Sequence, residues 1–159
     1  MGYISELREI IGTRPILSVG ATILVINDEK EILFQHRSDT FDWGLPGGSM
    51  ELSETIEEVA SRELQEETGL TANQFELLGV FSGPRYYFKY PNGDETYSVI
   101  NLFRAENTSG SLEMNDGESI DLQYFKKDNL PDKIEKRAKE LIEQLGDKLW
   151  NLESSFAGD

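Results

Sequence analysis

The sequence predicts an α/β sandwich built around a central mixed sheet, and three observations predict it. Segments rich in branched and aromatic residues lie both before and after a strongly periodic helical stretch. The chain closes on a second helical stretch, and Gly, Pro, Asn and Asp clusters separate the elements. Strands on either side of a helix, with another helix at the end, make a sheet covered on both faces. The 159 residues suit one domain, 1–150, followed by a tail at 151–159 that reads as disordered.

Taken in order, Ile4 to Ile11 forms a short helix, stopped by Gly12 with Pro15 beyond it. Ile16–Ile26 is a strand, Asn27-Asp28-Glu29-Lys30 a turn, and Glu31–His36 a second strand that closes a hairpin with the first. Arg37 to Ser53 is a loop holding Gly44-Leu45-Pro46-Gly47-Gly48. A helix follows from Ile56 to Thr68, with Gly69 ending it. Phe75–Ser82, Arg85–Tyr90 and Thr96–Glu106 are strands, the last two joined by the turn Pro91-Asn92-Gly93-Asp94. Asp121–Phe125 is a sixth strand. Pro131 suits the first turn of a second long helix carrying Ile134, Ala138, Leu141, Ile142 and Leu145 on one side.

Charge and composition remove several function classes. Thirty acidic against 15 basic side chains give a net charge of −15, which repels duplex nucleic acid and anionic membranes. The same charge tolerates a small phosphorylated ligand if metal ions screen it, and it promotes solubility in any case. With no cysteine, disulfides, thiolate metal sites and cysteine nucleophiles are excluded. The start of the chain lacks a secretory pattern, and the most apolar stretch, Pro15 to Ile26, is too short to span a bilayer. A cytoplasmic location is expected, and a monomer and a homodimer are equally compatible with the sequence.

The helix at 56–68 carries the chemistry. Thr55 and Glu58 form a capping-box pair, and Glu57 and Glu58 lie where the helix dipole favours anions. These glutamates need no functional explanation. At ~100° per residue, Ile56, Val59 and Ala60 share a face with Glu63, Glu66 and Glu67, all within roughly 120° of arc. Glu58, Ser61 and Gln65 fall on the opposite side. A solvated acidic face would keep phase with Ser61 and Gln65, and these three glutamates do not. Like charges three and four residues apart repel, so a cation belongs between them. Hard carboxylate oxygens without sulfur or clustered histidine suit Mg²⁺, with Mn²⁺ as a substitute, and Mg²⁺ sites commonly include substrate phosphates. Gly47 and Gly48, just ahead, let backbone approach closely where a Cβ would clash.

These residues resemble the Nudix box: Gly48, five residues, Glu54, seven residues, then Arg62-Glu63-Leu64-Gln65-Glu66-Glu67-Thr68-Gly69-Leu70. Trp43-Gly44-Leu45-Pro46-Gly47 is similar to the usual lead-in, and the order of elements extends the resemblance from about Pro15 to Leu145. The resemblance implies a Nudix-type α/β/α sandwich and hydrolysis of a nucleoside diphosphate linked to another moiety. It implies Glu63, Glu66 and Glu67 as metal ligands with the backbone carbonyl of Gly47. Gly48, Glu54, Arg62 and Gly69 take structural roles, the arginine orienting carboxylates. A further acidic residue, as ligand or general base, matches Glu118 in Asp116-Gly117-Glu118. Glu63, Glu66 and Glu118 all remain candidates for the base that takes the proton of attacking water.

Substrate contacts are open between two readings each. Phe81 to Tyr90, which includes Arg85 and Tyr87, is either a wall that stacks on a base and contacts phosphate or plain strand composition. Arg37 is either a phosphate contact or a solvated arginine, and His36, the one histidine, reads as a packed or surface residue. Tyr86 and Tyr87 lie where dinucleoside polyphosphate hydrolases of the family carry a tyrosine, and Pro84 comes slightly early for the proline of its ADP-ribose hydrolases. Isopentenyl diphosphate isomerases share the fold but need a cysteine. A nucleotide-sugar, a dinucleoside polyphosphate and an oxidised nucleoside triphosphate all fit as substrates. A catalytically silent nucleotide sensor is the alternative to an enzyme, although such modules often lose box carboxylates that are intact here.

Overall fold

The computed structural model describes residues 2–115 and 117–152. Its elements are α1 (Tyr3–Ile11), β1 (Ile16–Leu24), β2 (Ile32–Arg37), β3 (Trp43–Gly44), β4 (Gly47–Ser49), α2 (Ile56–Thr68), β5 (Gln74–Phe81), β6 (Tyr87–Lys89), β7 (Glu95–Glu106), β8 (Ser119–Phe125) and α3 (Lys136–Leu145). A mixed sheet runs β4-β1-β7-β5, with β6 also on β7, and a smaller sheet runs β3-β2-β8. β1 and β7 lie parallel from Ile16↔Thr96 to Leu24↔Arg104, while β4, β5 and β6 add antiparallel.

Strand alternation divides the interior in two. Ala21, Ile23, Phe103 and Ala105 meet Val59, Ala60 and Leu64 of α2. On the other side, Leu24, Ile100 and Leu102 pack with Phe34 and with Ala138 and Leu141 of α3. Helices therefore cover both faces of the large sheet, as the sequence predicts. Among the described residues, no helix is long and apolar enough to cross a membrane.

Four local expectations need correction. The hairpin of the first two long strands is reduced to the bridge Ile26↔Ile32 and the bond from Leu33 N–H to Val25 O at 3.0 Å. Beyond it β1 is flanked by β4 and β7, so β2 pairs with β8 in the second sheet. The loop 37–53 contains β3 and β4, because glycines allow Gly47 and Gly48 to lie unusually close to β1. Arg85–Tyr90 is not one strand: Pro84–Tyr86 forms a 3-10 turn and only Tyr87–Lys89 is extended. That turn drives Tyr86 inward, where its hydroxyl donates to Gln144 on α3.

The last helix begins at Lys136 rather than near Pro131. Trp43 N–H donates to Lys133 O (2.9 Å) and Glu135 N–H donates to Trp43 O (2.8 Å), so residues 133–135 are held beside β3. After α3, a 3-10 turn spans Gly146–Asn151, Leu149 is buried and Leu152 packs on the core. The rest of the expected tail, 153–159, lies outside the described residues, as does Asp116.

Candidate active site

α2 begins as its sequence predicts. Thr55 Oγ1 accepts Glu58 N–H at 3.1 Å and Glu58 Oε1 accepts Thr55 N–H at 3.3 Å. Gly69 ends it in the left-handed region, φ 80°, with its N–H on Gln65 O. Packing of Val59, Ala60 and Leu64 then fixes the helix rotation. Glu67 is consequently buried, at 2 % exposure, the Glu63 side chain is 12 % exposed, and Glu66 stands at the rim with 52 %. The three predicted carboxylates share one side, at graded depth.

Arg62 organises this cluster from the flank of the helix. It donates from Nε and Nη2 to the two Glu54 oxygens at 2.7 and 2.8 Å, from Nη1 to Glu63 Oε1 at 2.7 Å, and from Nη2 to Ser49 O at 3.1 Å. Its reach to Glu66 is longer, 3.4 Å. The forked Arg62 contact holds the Glu54 carboxyl below its ordinary range. Glu63 goes the other way. Burial pushes its carboxyl up to about 7, against the pull of Arg62 and with added repulsion from Glu66 and Glu118.

The two glycines have separate jobs. Ile23 N–H to Pro46 O and Met50 N–H to Val19 O are both 2.8 Å. The alternation of an antiparallel ladder then turns the peptide groups of Gly47 and Ser49 away from β1, toward α2. Gly47 N–H donates to Glu67 Oε2 at 2.6 Å, and its carbonyl projects from the same edge. A Cβ at Gly47 would stand 2.3 Å from Ala21 O, whereas one at Gly48 would stand 2.3 Å from Glu63 Oε1. Gly47 lets β4 reach β1, and Gly48 makes room for the Glu63 carboxylate.

Glu118, exposed at the start of β8, is tied by its backbone: its carbonyl accepts Ser38 N–H at 2.9 Å and Ser38 Oγ–H at 2.8 Å. It joins Gly47, Glu63, Glu66 and Glu67 around a cleft of about 780 Å³. Arg37, Arg137 and Tyr90 line the same cleft, with Ser18, Thr96 and Ser98 from β1 and β7. Arg37 is paired with Asp39 through two bonds, 2.9 and 2.6 Å. Burial disfavours its charge, but Asp39 and Glu135 outweigh that and keep it protonated. Arg137 is held by Glu135 in the same sense, Nε to Oε1 at 2.7 Å.

Two predicted contacts are not brought here. Arg85 is exposed on the 3-10 turn, outside the cleft. Tyr87 faces away from it, with its hydroxyl on Glu95, its ring on Tyr97 and Lys136 above. Alternation along β6 explains this, since Phe88 and Tyr90 take the inner side. His36 stacks on Trp43, ring centroids 4.6 Å apart, as a packed residue. The sequence reading missed Glu135 and Arg137. The one available signal was a charged pair two residues apart beside an apolar helical stripe.

The donor set suits a hard divalent cation, being carboxylate and carbonyl oxygens alone. Among the described residues, no three acidic or histidine side chains already enclose an ion. Glu63 lies on Arg62 and Glu67 on the Gly47 N–H, so both carboxylates are engaged with protein donors in this arrangement.

A sandwich that gathers carboxylates and guanidinium groups around one cleft has the makings of an enzyme-type site. The chain belongs to the NUDIX domain family, whose profile matches residues 17–145. It is 30% identical over 139 residues to a MutT-like protein of Streptomyces ambofaciens, covering 87% of this chain and 80% of that one. It is 33% identical over 110 residues to the ADP-ribose pyrophosphatase of Methanocaldococcus jannaschii, covering 68% and 61%. The crystal structure of a MutT NUDIX hydrolase from Burkholderia pseudomallei matches 82% of this chain and 99% of its own with a TM-score of 0.69 and 26% identity. The chain is a pyrophosphohydrolase of that family.

Proposed function

We propose that the chain hydrolyses a diphosphate bond in a nucleoside diphosphate derivative, with Mg²⁺ as its cofactor and Mn²⁺ as a substitute. One observation carries the reading: Glu63, Glu66, Glu67 and Glu118 line a single cleft with the peptide of Gly47 and the guanidinium groups of Arg37 and Arg137. Glu63, Glu66, Glu67 and Glu118 with the Gly47 carbonyl would hold the cation. When bound, Mg²⁺ neutralises charge developing on phosphate oxygens and makes water a better nucleophile. Arg62 fixes Glu63 and Glu54, so the acidic wall is arranged before substrate arrives. Arg37, which lines the same cleft, would orient the substrate's anionic groups. Glu63, Glu66 and Glu118, which all line the cleft, are the candidates to take the proton of the attacking water. Such substrates and Mg²⁺ occur together in the cytoplasm, where we place the enzyme.

The test is chromatographic detection of the two phosphorylated products of cleavage from a panel of ADP-ribose, a UDP-sugar, a diadenosine polyphosphate and 8-oxo-dGTP, in Mg²⁺ and in EDTA. Turnover in Mg²⁺ that EDTA abolishes is the expected result. Metal-dependent binding with no turnover of any member would instead make the chain a nucleotide sensor.

A further inference from the structure

Beyond the carboxylates, the cleft offers an unusual far wall. Arg137 lies with its guanidinium carbon 4.3 Å from the Phe88 ring centroid and 5.6 Å from that of Tyr90. Glu135 grips it twice, accepting its backbone N–H at 3.0 Å and its Nε–H at 2.7 Å, while also capping α3 through Ala138 N–H at 3.1 Å. The Glu135 side chain is 4 % exposed, so this hold is well shielded from water. Arg137 Nη1 is left pointing at two hydroxyls, 3.4 Å from both Tyr90 Oη and Ser98 Oγ. Both contacts are long for hydrogen bonds, so Nη1 is weakly held and free to donate to a ligand oxygen instead.

This arrangement discriminates between ligand classes. A nucleobase is held by flat apolar faces, and Tyr90 is the one aromatic among the described residues lining the cleft. Its ring, like that of Phe88, is already covered by Arg137. What remains is a guanidinium fork beside the hydroxyls of Tyr90 and Ser98, which is donor and acceptor chemistry for a polyhydroxylated group.

We propose that Arg137 is the specificity residue of the cleft, selecting nucleoside diphosphates linked to a sugar, and that Glu135 is its positioning residue. This rests on the hydrolase reading above and narrows its substrate class. The sugar's hydroxyls take the Nη donors of Arg137, and Glu135 keeps the fork facing them.

Steady-state kinetics of Arg137→Met and Arg137→Lys on ADP-ribose, UDP-glucose and dGTP test it. Methionine keeps a long side chain over Phe88, and lysine keeps the charge, but neither offers the fork. Loss of a charged hydrogen-bond donor to the sugar should raise KM for ADP-ribose and UDP-glucose about tenfold or more. The kcat for these and the KM for dGTP should stay within about twofold. Glu135→Gln should shift the same two KM values in the same direction, as a purely structural role would not. Equal KM changes on all three compounds, or none in variants that melt like the parent, would overturn the proposal. Calorimetric titration of ADP-ribose in EDTA keeps it separate from the hydrolase reading. Binding that weakens in Arg137→Met, in a chain that turns over nothing, upholds the specificity residue and removes the enzyme. Turnover of all three compounds at parental KM by that variant does the reverse.

Discussion

At the level of single residues, adjacent glycines separate two kinds of damage. A methyl at Gly47 meets the backbone of β1, which cannot move without breaking the sheet, whereas one at Gly48 meets the end of a flexible side chain. Gly47→Ala should therefore lower the melting temperature, an overpacking cost on the order of 1–3 kcal/mol. Gly48→Ala should melt close to the parent but lose about tenfold or more in kcat, because the Glu63 carboxylate is displaced. Melting curves and kinetics on the same two preparations check both.

Glu63 makes a second prediction at this scale. Its folded carboxyl, pushed up to about 7 from an ordinary 4.5, binds a proton more tightly than in the unfolded chain. The corresponding stability is complete below about pH 4.5 and is lost as pH rises through about 7. In EDTA, the melting temperature of the parent should fall across that window more steeply than that of Glu63→Gln. Parallel curves would show that Glu63 is not desolvated as described.

Among the elements, α2 was legible because its signals are local. The Thr55–Glu58 pair, the apolar phase of Ile56, Val59 and Ala60, and Gly69 are all within one helix, and the structure keeps each of them. Glu66→Gln should lower kcat by about 10²-fold or more, and Glu58→Gln should be nearly silent in kcat, losing at most about 1 kcal/mol of helix capping. A large kcat loss at Glu58 would mean that the faces of α2 have been misread. α3 was less legible because its start depends on a partner distant in sequence. Pro131 supplies a good local signal, but the bonds from 133–135 to Trp43 outweigh it and pass the capping role to Glu135. Tyr87 and Arg85 were misplaced for a related reason. Strand composition does not say which side chains alternate inward, and the 3-10 turn at Pro84 resets that phase.

Across the whole molecule, the layer order could be read from the sequence, since helix and strand periods alternate along it. The acidic wall was legible too, because one helix and the loop before it supply most of it. Of the arginines outside the box that line the cleft, only Arg37 was singled out in the sequence, and only as one of two readings. Arg37 leaves β2 in the smaller sheet, Tyr90 follows β6, and Arg137 sits at the start of α3, so only the folded topology brings them to one cleft. A charge of −15 spread over the surface also hides the acidic cluster in composition. The cluster shows itself only by being out of phase with solvent.

The claim beneath all of this is that Glu63, Glu66 and Glu67 together bind a divalent cation. Mn²⁺ titration followed by electron paramagnetic resonance measures it directly, without substrate or turnover. The parent should sequester Mn²⁺, Mg²⁺ should displace it, and Glu66→Gln and Glu67→Gln should weaken binding about tenfold or more, as expected when a charged ligand is lost. Mn²⁺ binding of equal strength in the parent and in both variants would contradict the account.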